Sequence, residues 1–257
     1  MNGIVAFLSD FGLSDSYVAE VKGAILSVSR ELTIIDITHD CPPQDIRTGA
    51  YHLWRASESF PPETVFLGVV DPGVGSKRRG IVAKDSKHVF VGPDNGLFSW
   101  ALGENARFFH LEKHPLGKDI SLTFHARDLF GPIAGLIASQ RIKPEECGKE
   151  IFDPVQLPQP KCEIKEHYVL CEVLSIDRFG NLIVFAKGLG TRFSEGQKVR
   201  VELGKTKVQA IYGPYASSDG FVVHDDSSGL FEIAYFKDSA ARILCAKAGD
   251  EVKIWLD

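Results

Sequence analysis

Three short apolar runs each end in an acid, and these acids are the first candidates for chemistry. Ser9-Asp10-Phe11-Gly12 follows Ile4-Val5-Ala6-Phe7-Leu8, and Asp36-Ile37-Thr38-His39 follows Thr33-Ile34-Ile35. Asp71-Pro72-Gly73-Val74-Gly75 follows Val65-Phe66-Leu67-Gly68-Val69-Val70. Runs of this length rich in Val and Ile read as buried parallel strands. Open α/β sheets bind ligands just beyond the carboxyl ends of such strands. A carboxylate at Asp10 can accept two hydroxyls at once, as a ribose diol presents them. By pattern alone, a turn or N-cap acid is an equal reading. Asp36 and His39 suit either a site wall or a buried hydrogen-bonding pair, and a lone His reads first as structural. The segment from Asp71 to Gly80 combines one acid, Arg78, Arg79 and two glycines that let backbone approach a ligand. It lacks the Gly-Lys-Ser/Thr of a Walker loop.

Further along, Gly92-Pro93-Asp94-Asn95-Gly96 reads as a tight turn, each residue type having its own turn rationale. Thr123-Phe124-His125-Ala126-Arg127-Asp128 precedes an apolar helical pattern. Asp128 is the expected cap of that helix, with His125 beside the N–H groups at its start. Histidine titrates near neutral pH and is the commonest general base. Asp177-Arg178-Phe179-Gly180-Asn181 has the pattern of a hairpin turn. Ser227-Ser228-Gly229 followed by Leu230-Phe231-Glu232-Ile233-Ala234 offers hydroxyls, a turn and a strand.

The elements that must carry these residues fall into two textures. Residues 1–145 alternate strands with helices, which implies an α/β domain built on a mostly parallel sheet flanked by helices. Helices are expected over Asp15–Ser29, capped by Ser14 or Asp15, over Asp45–Ser57, capped by Asp45, and over Asp128–Gln140. Strands are expected at Gly80–Ala83, Val89–Val91 and Arg107–Leu111. Residues 146–166, with Pro154, Pro158 and Pro160, read as a linker. Residues 167–257 hold seven β-rich pieces punctuated by Gly, Asp, Ser and Asn, the mark of a smaller antiparallel, barrel-like domain.

The 257 residues are 44% hydrophobic and 25% charged, as in an ordinary globular chain. A net charge of −5 argues against a nucleic-acid partner, which needs clustered Lys and Arg. The five cysteines form no Cys-x-x-Cys pair, so neither a disulfide framework nor a zinc knuckle is expected. Without a basic leader at Met1-Asn2-Gly3-Ile4 or a membrane-length apolar run, the expected place is the cytoplasm, with no membrane partner.

Taken in order, these segments resemble the S-adenosylmethionine hydroxide adenosyltransferase, or adenosylmethionine hydrolase, family, whose relatives include fluorinase and chlorinase enzymes. The carriers are Ser9 to Gly12, Asp36 to His39, Val70 to Gly75, Gly92 to Gly96, Thr123 to Asp128, Asp177 to Asn181 and Leu230 to Ala234. The resemblance implies hydrolysis of S-adenosyl-L-methionine to adenosine and L-methionine, with no cofactor and no metal. It implies a homotrimer whose sites lie at subunit interfaces. It puts Asp71, Arg78 and His125 in the catalytic set and Asp10 on the ribose. It gives Asp177, Phe179, Asn181 and Ser227 to the substrate as well. Ala126 stands where the family usually has Gly, and Leu182-Ile183-Val184-Phe185 replaces a more polar continuation. Halide-using relatives have Tyr and Thr in place of the acid-containing segment, so Asp71 favours water.

The implied attack falls on the ribose 5′ carbon while a sulfonium leaves as a neutral thioether, so no general acid is needed. Water, with a pKa of about 15.7, needs a base. The expectation is that His125 and Asp71 share that role and Arg78 orients them. Two other readings stay open at this stage. One is a metal-dependent hydrolase using Asp10, His39, Asp71 and His125. The other is a non-catalytic adenosine-binding protein.

Overall fold

The computed structural model describes residues 3–111, 117 and 119–256. Met1 and Asn2, the first residues of the segment expected to lack a basic leader, lie outside them. The chain forms two compact units, Met1–Leu157 and Pro158–Asp257.

The first unit contains, in chain order, β1 (Ile4–Ser9), α1 (Tyr17–Val28), β2 (Thr33–Thr38), α2 (Ile46–Ser57), β3 (Val65–Val69), β4 (Gly80–Lys84), β5 (Val89–Pro93), β6 (Arg107–Leu111), α3 (Gly131–Ala138) and β7 (Lys149–Ile151). The strands make one sheet in the order β2-β1-β3-β5-β4-β6-β7. Pairing is parallel from β2 to β5 and antiparallel from there to β7. Strand β1 shows why the sheet needs helices on both faces. Val5 and Phe7 join a core with Val21, Ile25 and Ile133 from α1 and α3, whereas Ala6 and Leu8 join a second core with Leu53 of α2. Alternate residues of a strand point to opposite faces, so a strand apolar throughout must be covered twice.

The second unit contains β8 (Cys162–Ile164), β9 (Tyr168–Ile176), β10 (Leu182–Val184), β11 (Lys198–Leu203), β12 (Thr206–Tyr212), β13 (Phe221–Asp225), β14 (Phe231–Tyr235), α4 (Ala240–Leu244) and β15 (Glu251–Trp255). Seven strands close on themselves in the order β10-β14-β13-β12-β11-β15-β9, β9 pairing back to β10, and β8 adds outside β9. Only β12 and β13 pair in parallel. The interior is built from alternate residues such as Val173, Leu182, Val184, Val199, Val201, Phe231 and Ile233. Closure leaves few unpaired strand edges. Among the described residues no helix is long and apolar enough to cross a membrane.

Several local expectations are altered. The parallel pairing is confined to β2-β1-β3-β5, because β4 and β5 are joined by a short hairpin between Lys84 and Val89 and so pair antiparallel. Ser16 occupies the start of α1, bonding Glu20 rather than the helix backbone, so neither Ser14 nor Asp15 caps it. Asp45 does cap α2, accepting from Thr48 N at 3.0 Å. The third helical stretch begins earlier than Asp128, as a π-turn over Ala126–Phe130, and α3 ends at Ala138 because Gln140 takes a left-handed φ of +58°. Within residues 146–166, β7 pairs with β6 in the first unit and β8 with β9 in the second.

Candidate active site

Strand register carries the acids to one end of the sheet. Ser9 of β1 pairs with Val69 of β3, and Leu8 pairs with Thr38 of β2. The chain therefore leaves all three strands side by side, at Asp10, at Asp71 and at His39.

At the β3 exit, Asp71 and Arg78 form a bidentate pair with both side chains buried. Arg78 Nε donates to Asp71 Oδ1 at 3.1 Å, and Nη2 donates to Oδ2. Gly73 N also donates to Oδ1, at 3.2 Å. Arg78 Nη2 lies 3.1 Å from His125 Nδ1. A guanidinium only donates, so His125 Nδ1 accepts and the neutral ring carries its proton on Nε2. Burial, followed by the Arg78 charge, holds the His125 pKa below the ordinary imidazole value despite the opposing pull of Asp71 and Asp128. The Phe130 ring lies under the Arg78 guanidinium at 5.4 Å and meets His125 edge-on at 6.1 Å.

This cluster is held from behind by the Gly92–Gly96 turn. Asn95 Nδ2 donates to the Val70 carbonyl at 2.8 Å, one residue before Asp71. The Arg79 carbonyl accepts from Asp94 N at 2.9 Å and from Arg78 Nη1 at 2.9 Å. The Arg79 guanidinium donates in turn to buried Asp94 and to Asp153. Consecutive turn residues thus grip both flanks of the Asp71–Arg78 pair. The pattern of this turn marked a bend and gave no hint of that grip.

Gly75, at φ +77°, is required for another reason: a Cβ there would lie 2.6 Å from the Leu122 carbonyl. It brings the Asp71 loop against the segment leading to His125. The π-turn then begins at Ala126, whose carbonyl accepts from Gly131 N. Such wide turns recur at functional sites. Ala126 keeps a helical backbone with its methyl buried in the core, so Gly is not needed here. Asp128 does not cap; it accepts from Ser121 N at 3.0 Å and from Arg127.

Asp10 stands at the next strand exit. Its Oδ2 accepts from Gln44 N at 2.8 Å, and Gln44 adopts φ +67° to offer that N–H. Phe11 stacks edge-on with Phe124 at 6.0 Å, and both meet Tyr17, so the Asp10 and His125 turns share one aromatic cluster. Buried His39 is the hydrogen-bonding residue rather than a site wall. Its Nδ1 lies 2.7 Å from Ser9 Oγ, and its Nε2 lies 3.1 Å from Asp36 Oδ1. Both ring nitrogens face partners, which removes His39 from the four-residue metal set. Among the described residues no three His, Cys, Asp or Glu come together as a metal site.

In the second unit, Asp177 spends its carboxylate on its own turn. Oδ1 accepts from Phe179 N and Asn181 N at 2.9 and 2.8 Å, and Oδ2 from Asn181 Nδ2 at 3.0 Å. Gly180, at φ +83°, is obligatory, since a Cβ would meet Ser239 Oγ at 2.0 Å. The turn presents Phe179, 78% exposed, and buries Asn181. Asp226 to Leu230 repeats the same device, with Asp226 Oδ1 accepting from Ser228 N and Leu230 N and leaving Ser227 exposed. Leu182 pairs with Ile233 and Val184 with Phe231, so the two turns enter the short β10–β14 pair from opposite ends. Between them Glu232, from the marked Leu230–Ala234 segment, meets Tyr215 and His224, which no sequence pattern marked. Tyr215 donates to buried Glu232 at 2.6 Å, and His224 Nε2 lies 3.3 Å from the same oxygen. Burial and that bond raise the Tyr215 hydroxyl, and the charges of Asp177 and Asp226 add to the effect.

The chain thus joins an α/β sheet, with an Asp/Arg/His cluster at its strand exits, to a closed β-barrel. The chain belongs to the S-adenosylmethionine hydroxide adenosyltransferase family, whose N-terminal domain model matches residues 5–148 and whose C-terminal domain model matches residues 171–253. It is 38% identical over 264 aligned residues to the (R)-S-adenosyl-L-methionine hydrolase of Thermus thermophilus, covering 97% of this chain and 98% of that one. A fluorinase of Nocardia brasiliensis is 28% identical over 213 residues, 70% of this chain and 69% of its own. The crystal structure of an uncharacterized conserved protein from Thermotoga maritima superposes with a TM-score of 0.90 at 34% identity, covering 97% of this chain and 99% of that one.

Proposed function

We propose that this enzyme hydrolyses S-adenosyl-L-methionine, the (R) epimer at sulfur named for its relatives, to adenosine and L-methionine. The observation that carries the reading is the bonded Asp71–Arg78–His125 cluster at the strand exit beside Asp10. Water attacks the ribose 5′ carbon in line as the carbon–sulfur bond breaks, and that electron pair leaves on methionine as a neutral thioether. The base roles of Asp71 and His125 are unequal. With Nδ1 engaged by Arg78, neutral His125 has only an N–H to offer, from Nε2, so it orients the water by donating to one lone pair while the other faces the 5′ carbon. Asp71 Oδ2 takes one Arg78 bond and keeps acceptor capacity for the water proton. A carboxylate is a weak base, so proton transfer accompanies carbon–oxygen bond formation. Positioning at attack distance is worth up to roughly 7–11 kcal/mol, more than the about 10²–10⁴-fold of general-base assistance.

In this reading Asp10 holds the ribose diol, and Phe179 with Asn181 receives the adenine. Asp177 holds that turn in shape and meets the methionine portion, together with Ser227. The assembly is a homotrimer with sites shared between subunits. Apolar side chains exposed around the catalytic loops support this, Leu13 at 69% and Leu122 at 75% among them, as does exposed Phe179 in the barrel unit. The reaction requires no metal or cofactor, and the free thiols of all five cysteines suit a reducing cytoplasm. Incubation with each sulfonium epimer, followed by chromatography, tests the function. Equal adenosine and methionine from the (R) epimer, unchanged by chloride or a chelator, is expected. A chlorinated nucleoside, loss of activity in chelator, or binding without turnover would overturn it.

A further inference from the structure

We infer that His39 is a positioning residue for Asp10, acting through a chain of four side chains that ends at Lys22 on α1. The inference rests on Asp10 being the ribose-binding acid. Lys22 Nζ donates to Asp36 Oδ2 at 2.6 Å, and Asp36 Oδ1 receives His39 Nε2 at 3.1 Å, a contact bent away from a straight hydrogen bond. Burial pushes the Asp36 carboxyl up, but the Lys22 hydrogen bond and the facing His39 ring outweigh it and hold it below the usual range. A carboxylate facing Nε2 keeps the proton there, leaving Nδ1 as an acceptor. Ser9 Oγ, 2.7 Å away, therefore donates to Nδ1 and turns its lone pairs toward Phe11 N at 3.4 Å. The His39 carbonyl accepts from Gly12 N at 2.8 Å. His39 thus grips Asp10 from both sides in sequence, through Ser9 before it and Gly12 after it.

This arrangement is not a nucleophilic triad, although its residue types match one. Ser9 is fully buried and bonds Nδ1 rather than Nε2, so its hydroxyl cannot meet a substrate. What the chain controls is the direction of the backbone at Asp10. A ribose contact present in both ground and transition states affects KM more than kcat.

The test is a double-mutant cycle read as a split between kcat and KM for S-adenosylmethionine. Asn places an amide where His39 has Nδ1, and Gln places one where it has Nε2. His39→Gln is expected to raise KM about tenfold, the scale of one lost hydrogen bond, with kcat within about twofold. His39→Asn, which keeps an acceptor for Ser9, should recover much of the loss. Ser9→Ala removes one hydroxyl and repeats the KM effect should His39→Gln fold poorly. In an Asp10→Ala background, none of the three should raise KM further. Full additivity with Asp10→Ala, or a loss confined to kcat, would overturn the positioning role alone. An Asp10→Ala enzyme with parental KM would overturn the ribose reading, and this inference with it.

Discussion

The proton on His125 decides how the proposed Asp71–Arg78–His125 cluster would work. Arg78 can only donate, so its 3.1 Å contact to Nδ1 requires that nitrogen to be bare. Protonating the ring would set an Nδ1–H against the guanidinium, and burial adds to that cost, which is why the pKa lies below the ordinary value. Neutral His125 is therefore the working form. Activity should hold through neutrality and fall as the pH drops through the depressed His125 pKa, giving an acid limb below about 6.5. His125→Ala should lower kcat by about 10²-fold, the scale of loss when a reacting group is misplaced. His125→Gln keeps an N–H near the Nε2 position and should retain more activity than Ala while losing the histidine limb. The pH profiles of kcat/KM for the three enzymes provide the check. Asp71→Asn should fail throughout, because an amide cannot take the proton.

At the scale of elements, the Gly92–Gly96 turn sets the distance between Asp71 and Arg78. Asn95 holds the carbonyl before Asp71, and Asp94 holds the carbonyl that also receives the Arg78 side chain. Asn95→Ala should cost about 1 kcal/mol of stability. It should lower kcat by about tenfold or more with little change in KM, since small misplacements of reacting groups are expensive. Thermal melts beside steady-state kinetics would read both effects. An equal loss of stability with unchanged kcat would make the turn merely structural. The same turn shows what a sequence can and cannot reveal. The placing of Asp10 and Asp71 at neighbouring strand exits was legible because each follows an apolar strand, and strand exits share one end of a parallel sheet. The grip of Asn95 on Val70 was not, because a backbone carbonyl 25 positions away leaves no residue-type signal. The π-turn was hidden for a related reason, since an apolar pattern from Leu129 onward fits α and π winding equally. Strands β7 and β8, three residues each in proline-rich sequence, carry too little pattern to be read. Tyr215 and Glu232 meet only through the closure of the barrel.

For the whole molecule, the two sets of proposed site residues divide cleanly between the units. Asp10, Asp71, Arg78 and His125 belong to Met1–Leu157, and Asp177, Phe179, Asn181 and Ser227 to Pro158–Asp257. That division makes subunit sharing testable without a structure of the assembly. Asp71→Asn disables the first set, and Phe179→Ala weakens the second. Each variant alone should be nearly inactive at low substrate. If a site takes its two halves from different subunits, subunits mixed by partial unfolding and refolding rebuild some sites from two intact halves. Random assembly from equal amounts would restore about a quarter of parental activity, the chance that both halves of a site come from the right variants. If each chain supplies its own complete site, mixing restores nothing, since every site retains one defect. Light scattering on the same samples gives the subunit number, with three expected. Recovery should appear only after subunit exchange and not on simple mixing of assembled enzymes. A refolded mixture that forms trimers yet stays inactive would refute the shared site while leaving the chemistry of the Asp71 cluster intact.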